Sequence, residues 1–354
     1  VRLVIFGLTV SSSWGNGHAT LWRGLCRALG ARDHDIVFFE RDVPYYAAHR
    51  DTTNPAGCSL RLYRDWDDVR DEAATALADA DVGMVTSYCP DAQAASDLVL
   101  DSKTVRVFYD LDTGVTLARL RAGEPVPYLP SQGLGEFDLV LSYTGGRALD
   151  ELTTLGARHV APLYGSVDPD AHRPMATTED LPRGHLSYLG TYAADRQRRL
   201  EELFIEPARR RPDRRFVIGG SQYPADFPWT QNIYYVWHMP PPRHPAFYGA
   251  SAITLNVTRG AMADMGYCPS GRLFEAAACG TPVLTDTWEG LETFFEPGRE
   301  ILVARNTDEA LSALDLSPEE LARVAHAARE RTLAEHTADC RARTLEEVID
   351  TCGA

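Results

Sequence analysis

The sequence predicts an α/β protein built as two doubly wound halves, each a parallel sheet covered by helices. Three observations carry this. Short continuous apolar runs alternate with segments of helical periodicity along the chain, and such runs belong to strands buried on both faces. The alternation breaks once, over residues 162–174, where Pro162, Gly165, Pro169 and Pro174 crowd together as in a linker, and then restarts. A length of 354 residues fits about two domains.

Residues 3–6 form the first apolar, β-rich run, so the chain starts on a core strand and not on a signal peptide. A polar turn with Gly15, Asn16, Gly17 and His18 follows. Then Leu21, Leu25, Ala28 and Leu29 fall on one helical face. Residues 35–40, 81–86, 104–109 and 137–142 read as further strands, and residues 69–80 as a helix rich in Ala and acids. Past the linker, strands are expected at 186–189, 215–219, 233–237, 252–256 and 282–285. Helices are expected at 196–211 and 273–279, with a helical tail over 318–349. The expected division is 1–165, 166–330 and a closing helical segment 331–354. Two such halves leave a cleft at the carboxyl ends of their strands, where open α/β sheets bind ligands.

There are 35 basic and 50 acidic residues, giving a net charge of −15. No long basic run exists to release counterions from nucleic acid or an anionic membrane. No apolar stretch approaches the roughly 20 residues of a membrane span. The seven cysteines are odd in number, widely spaced and without a C-x-x-C pair or a Cys/His cluster. Free thiols in the cytoplasm, no metal site and no resident cofactor are the expectation.

The most informative window is Ser270 to Thr285. Ser270 suits an N-cap, and Gly271 lets a ligand approach the helix start. Backbone N–H groups and the positive dipole end there attract an anion, and Arg272 adds a guanidinium suited to phosphate oxygens. Glu275, one turn on, can accept two hydrogen bonds from vicinal hydroxyls such as those of a ribose. The plainer alternative is a capped helix whose Glu faces solvent.

Phe274-Glu-Ala-Ala-Ala-Cys-Gly-Thr-Pro-Val283 resembles the donor-site segment of GT-B glycosyltransferases. The likeness extends to the CgeB-like (spore maturation protein type) bacterial glycosyltransferases. It runs in order through Phe108-Tyr-Asp-Leu-Asp-Thr113, Asp138-Leu-Val-Leu-Ser-Tyr-Thr-Gly-Gly146, Leu163-Tyr-Gly-Ser-Val-Asp-Pro169 and Leu186-Ser-Tyr-Leu-Gly-Thr-Tyr192. It continues through His244-Pro-Ala-Phe-Tyr248, Leu255-Asn-Val-Thr-Arg259 and Thr293-Phe-Phe-Glu-Pro-Gly-Arg-Glu300, covering about 105–305. The resemblance implies two Rossmann-like domains, the first for the acceptor and the second for a nucleotide-sugar donor. It also implies a last helix that crosses back onto the first domain, and Glu275 as the ribose-binding carboxylate. Many retaining members carry a second Glu eight positions earlier; here that position is Tyr267.

The resemblance also bears on His18, which closes a Gly-rich turn like that of several inverting members; a near-neutral imidazole suits a general base. It can equally serve as a hydrogen-bonding residue at a helix start. Asp112, at the end of an expected strand, can orient His18 or simply cap a helix. Gly190, Thr191, Arg196, His238 and Arg259 are the remaining donor-site candidates, and Trp229, Trp237 and Trp288 are possible platforms. Gly15-x-Gly17 lacks the third Gly of a dinucleotide fingerprint, so an oxidoreductase is weakly supported.

The reading is a metal-independent transfer of sugar from a UDP-, GDP- or dTDP-sugar to a hydroxyl of a small molecule, glycan or protein, with a mild preference for inversion. A nucleotide-sugar epimerase and a non-catalytic sugar- or nucleotide-binding protein of a cell-surface assembly are the alternatives.

Overall fold

The first apolar run becomes an interior strand of a seven-stranded sheet in the computed structural model, which describes residues 1–15 and 17–353. Its strands are β1 (Arg2–Gly7), β2 (Asp35–Arg41), β3 (Ser59–Tyr63), β4 (Val82–Thr86), β5 (Val105–Asp110), β6 (Leu139–Ser142) and β7 (Val160–Pro162). All pair in parallel, in the order 3-2-1-4-5-6-7. Val4, Ile5 and Phe6 are wholly buried, as a strand covered on both faces requires. The helix His18–Gly30 turns Trp22, Leu25, Cys26 and Leu29 onto this sheet.

The second sheet holds β8 (Gly184–Leu189), β9 (Phe216–Gly220), β10 (Ile233–Trp237), β11 (Ser251–Asn256), β12 (Val283–Thr285) and β13 (Leu302–Val303). It too is parallel, in the order 10-9-8-11-12-13. Each sheet therefore reverses its winding beside its first strand, between β1 and β4 and between β8 and β11. In open α/β sheets the carboxyl ends of those two strands frame the ligand crevice.

The chain divides into two units, residues 1–165 with 338–354, and residues 166–337. The second unit runs past position 330 because the helix Pro318–Glu335 continues through it, started by a capping box between Ser317 and Glu320. The last helix, Ala338–Gly353, packs on the helix His18–Gly30 of the first unit. There Arg32 forks onto Glu346 at 2.8 and 2.6 Å, and Ala342 and Leu345 join the core.

Several elements depart from the sequence expectation, among them the short strands β7 and β13, which it does not contain. Where one helix is expected over 196–211, the chain makes a 3-10 turn (Ala194–Arg196), an α turn (Gln197–Leu200), a π turn (Glu201–Ile205) and a second α segment (Glu206–Arg210). Pro207 is the cause: it has no N–H, and its ring clashes with the carbonyl four residues back, which a wider turn relieves. β3 escapes the sequence reading because it is an edge strand, with Ser59, Arg61 and Leu62 exposed and only Tyr63 buried. Among the described residues no helix is long and apolar enough to cross a membrane, and all seven cysteines are free thiols.

Candidate functional site

In the second unit the end of β9 approaches the loop after β8 so closely that only glycine fits. Gly220 has φ +152°, and a Cβ there would lie 2.0 Å from the Gly190 carbonyl oxygen. The Tyr223 hydroxyl donates to that same oxygen at 3.0 Å. The amides of Gly190 and Tyr192 donate to the carbonyls of Gly219 and Ser221, both at 2.9 Å, and Thr191 lies between these two anchored positions. His238, at the end of β10 with φ +45°, donates its amide to Gly220 at 2.7 Å.

Arg272 ties this loop to the end of β11. Its Nη1 donates to Asn256 Oδ1 at 3.0 Å, and its guanidinium lies over the Tyr188 ring, 5.2 Å from the centroid. A Cβ on Gly190 would come within 3.0 Å of its Nη2. Asn256 is itself fixed by donating to Thr285 Oγ1 at 3.0 Å. Among the described residues no carboxylate forms an ion pair with Arg272 or with Arg196, and the buried Nε of Arg196 has no partner. Arg259 differs: its Nε donates to Asp195 at 3.0 Å, so its charge is already matched.

Arg272 belongs to the helix Gly271–Ala278. Ser270 occupies the N-cap position with extended backbone, but its hydroxyl does not cap the helix, contrary to the sequence expectation. The first turn is thereby left to another acceptor. A Cβ on Gly271 would meet nothing within 4 Å, so the helix start opens on free space. Positive dipole, open space and a guanidinium with no ion-paired carboxylate among the described residues are features that attract an anion.

Glu275 does not face solvent. Its Oε2 accepts from the Tyr248 hydroxyl at 3.3 Å and lies 3.9 Å from His172 Nε2 and 3.7 Å from His244 Nδ1. Among the described residues Oε1 has no partner. Burial alone would raise this carboxyl; the imidazoles of His172 and His244 and the Arg272 guanidinium outweigh it and hold it at about 2. His172 and His244 carry no role in the sequence reading, because they lie 103 and 31 positions from Glu275. Trp229 and Trp237 are exposed, in keeping with platforms, whereas Trp288 is buried against Phe294.

In the first unit a buried carboxylate organises the loop after β1. Glu40 accepts from Val10 N at 2.7 Å, Ser11 N at 3.0 Å and Thr9 Oγ1 at 2.9 Å. Trp14 stacks on His49 with centroids 3.8 Å apart. Gly15, with φ +68°, carries the chain on to Gly17 and His18; Asn16 lies outside the described residues. The His18 ring sits 5.7 Å from the Tyr88 ring, which lies 4.7 Å from the Tyr128 ring, and the Asp112 charge acts on the Tyr88 phenol. Tyr88 therefore lies near both residues proposed from sequence as a pair. It has φ +64°, an uncommon value for a bulky residue. Burial, and next the Asp112 charge, push its phenol up. Asp112 stands at the N-cap of the helix Thr113–Arg121 without capping it by its side chain. Its neighbour Asp110 is wholly buried, accepts the Asp112 amide at 3.0 Å through Oδ1, and leaves Oδ2 without a partner. Burial pushes Asp110 up to about 6.

Residues 196–347 match a family model described as glycosyl transferase-like. The search of curated proteins finds no match. Among solved structures, sucrose-phosphate synthase from Thermosynechococcus elongatus is similar at 13% identity and TM-score 0.70, over 99% of this chain and 98% of that one. HepE of Anabaena in complex with UDP-glucose is similar at 9% identity and TM-score 0.68, over 99% of both chains. An alpha-glucosyltransferase in complex with UDP-glucose and DNA containing an abasic site is similar at 12% identity and TM-score 0.72, over 99% of both chains. At such identities the likeness establishes the fold: two parallel-sheet, Rossmann-like domains of the GT-B type. The family model spans residues 196–347, less than half of the chain.

Proposed function

We propose that the chain moves a sugar from a uridine-diphosphate sugar to an acceptor hydroxyl, without a metal ion. The observation that carries this reading is Glu275, an ionised carboxylate one turn inside an uncapped helix start that Arg272 flanks. Its open Oε1 suits a ribose diol, and the helix start suits a diphosphate. Breaking the bond from anomeric carbon to phosphate puts negative charge on the departing diphosphate. Helix dipole, Arg272 and Arg196 are preorganised to meet that charge. Uridine is favoured over other bases because HepE and the alpha-glucosyltransferase, which share this fold, were solved with UDP-glucose.

The acceptor end is assigned to the first unit. There His18 removes the hydroxyl proton, with Asp112 and Tyr88 fixing its surroundings. Inversion is preferred because a base is on hand and Tyr267 stands where a retaining enzyme has its second Glu. A net charge of −15 disfavours a polyanionic acceptor such as DNA and leaves a small molecule, glycan or protein. The ordered motifs support a CgeB-like bacterial enzyme, and seven free thiols support work in a reducing cytoplasm.

Calorimetric titration with UDP, GDP and dTDP tests the donor assignment. UDP is expected to bind at least roughly tenfold more tightly than GDP, about 1.4 kcal/mol. Absence of binding by all three nucleotides would remove the donor site from the second unit.

A further inference from the structure

Glu275 is held asymmetrically, and the asymmetry has a source in two residues far away in sequence. His244, on the helix His244–Gly249, directs Nε2 at the Met239 carbonyl at 3.1 Å. A carbonyl only accepts, so Nε2 carries a proton there. That leaves Nδ1, which meets no other partner, facing Glu275 Oε2 at 3.7 Å, and it attracts that oxygen when the ring carries its second proton as an imidazolium. His172 comes from the segment after β7. It is 2% exposed, both its ring nitrogens lack hydrogen-bond partners, and its Nε2 lies 3.9 Å from the same oxygen. Buried polar groups with no partner are uncommon in native proteins and call for a reason. Tyr248 completes the set, donating to Oε2 at 3.3 Å. Three side chains thus converge on one oxygen, and Oε1 is left open.

Resting on the donor reading above, we propose that His172 and His244 are positioning residues that draw Oε2 of Glu275 inward and so present Oε1 to the ribose diol of the nucleotide. Neither imidazole touches the reacting atoms. Both act through the carboxylate: without them only the Tyr248 hydroxyl distinguishes its two oxygens, the group is held less firmly, and the diol loses a fixed acceptor. The same trio invites comparison with a metal centre, since two His and a Glu are zinc ligands and their ligand atoms lie within 4.8 Å of one another. Tetrahedral zinc, however, draws its ligand atoms to about 3.3 Å from each other. Here the two nitrogens stand 3.7 and 3.9 Å from the carboxylate oxygen, and Tyr248 already donates to it.

The test compares binding of UDP and 2′,3′-dideoxy-UDP by the full chain. The wild type is expected to prefer UDP by roughly ten- to a hundredfold, the effect of a lost charge-assisted hydrogen bond. In His172→Leu and His244→Leu this preference is expected to shrink to within about threefold, while affinity for the dideoxy analogue stays unchanged and reports an intact fold. His172→Gln and His244→Asn keep a donor near the carboxylate and are expected to restore the preference. Leu variants that keep the wild-type ratio overturn the proposal. Ligand-field absorption on adding Co(II) that vanishes in His172→Leu also overturns it, by making the trio a metal centre. A wild type that binds both nucleotides equally fails differently: it removes the ribose from Glu275 itself.

Discussion

Two buried carboxylates, Asp110 in the first unit and Glu275 in the second, show how neighbours decide what burial does. Each belongs to a unit whose parallel sheet has the same order over six strands, the first sheet carrying a seventh. Burial pushes Asp110 from 3.8 up to about 6, because its own neighbours include another acid, Asp112, and no cation. Burial pushes the same way on Glu275, yet two imidazoles and a guanidinium bring it from 4.5 down to about 2. The consequences for stability are opposite. Asp110 has a raised folded value, so its contribution is complete below about pH 4 and is lost as pH rises through about 6. Glu275 has a depressed folded value, so its contribution is present above about pH 4.5 and is lost as pH falls towards 2. In one unit burial keeps a carboxyl protonated to higher pH; in the other, cationic neighbours keep a buried carboxylate ionised.

The largest expected effect is at the base proposed for the first unit. His18→Ala is expected to lower kcat by roughly 10²–10⁴-fold with little change in donor KM. A fully active variant, measured by steady-state transfer, would leave the turn at Gly17 with a structural role only. Next in size is the burial of Asp110 itself. Asp110→Asn is expected to raise stability at pH 8 by about 1–3 kcal/mol and to flatten the dependence between about pH 4 and 6. Urea melts at pH 5 and pH 8 check this; an unchanged pH slope would show that Asp110 is not the group responsible.

Most of the frame was legible because parallel strands and their helices announce themselves locally. The runs at residues 3–6, 35–40 and 233–237 became β1, β2 and β10 within a residue or so. Local signals also pointed to Gly190, Arg272 and Glu275, since each sits at a strand end or helix start that the sequence marks. What stayed hidden depends on distant neighbours. Glu40 reads as the tail of a strand, yet it organises a loop 30 residues away. Tyr88 reads as one aromatic among many, and His172 as a residue of the linker. The π turn before Pro207 was missed for a different reason, since periodicity cannot show how a helix accommodates a proline. Ser270 has the N-cap position, but its side chain makes no capping hydrogen bond.

The most direct test of the account is calorimetric titration of UDP into wild type and Glu275→Ala. Binding is expected to weaken by about 1–3 kcal/mol in the variant, the loss of charge-assisted hydrogen bonds from a ribose diol. Equal affinity in a folded variant would contradict a donor nucleotide held at the start of the helix Gly271–Ala278.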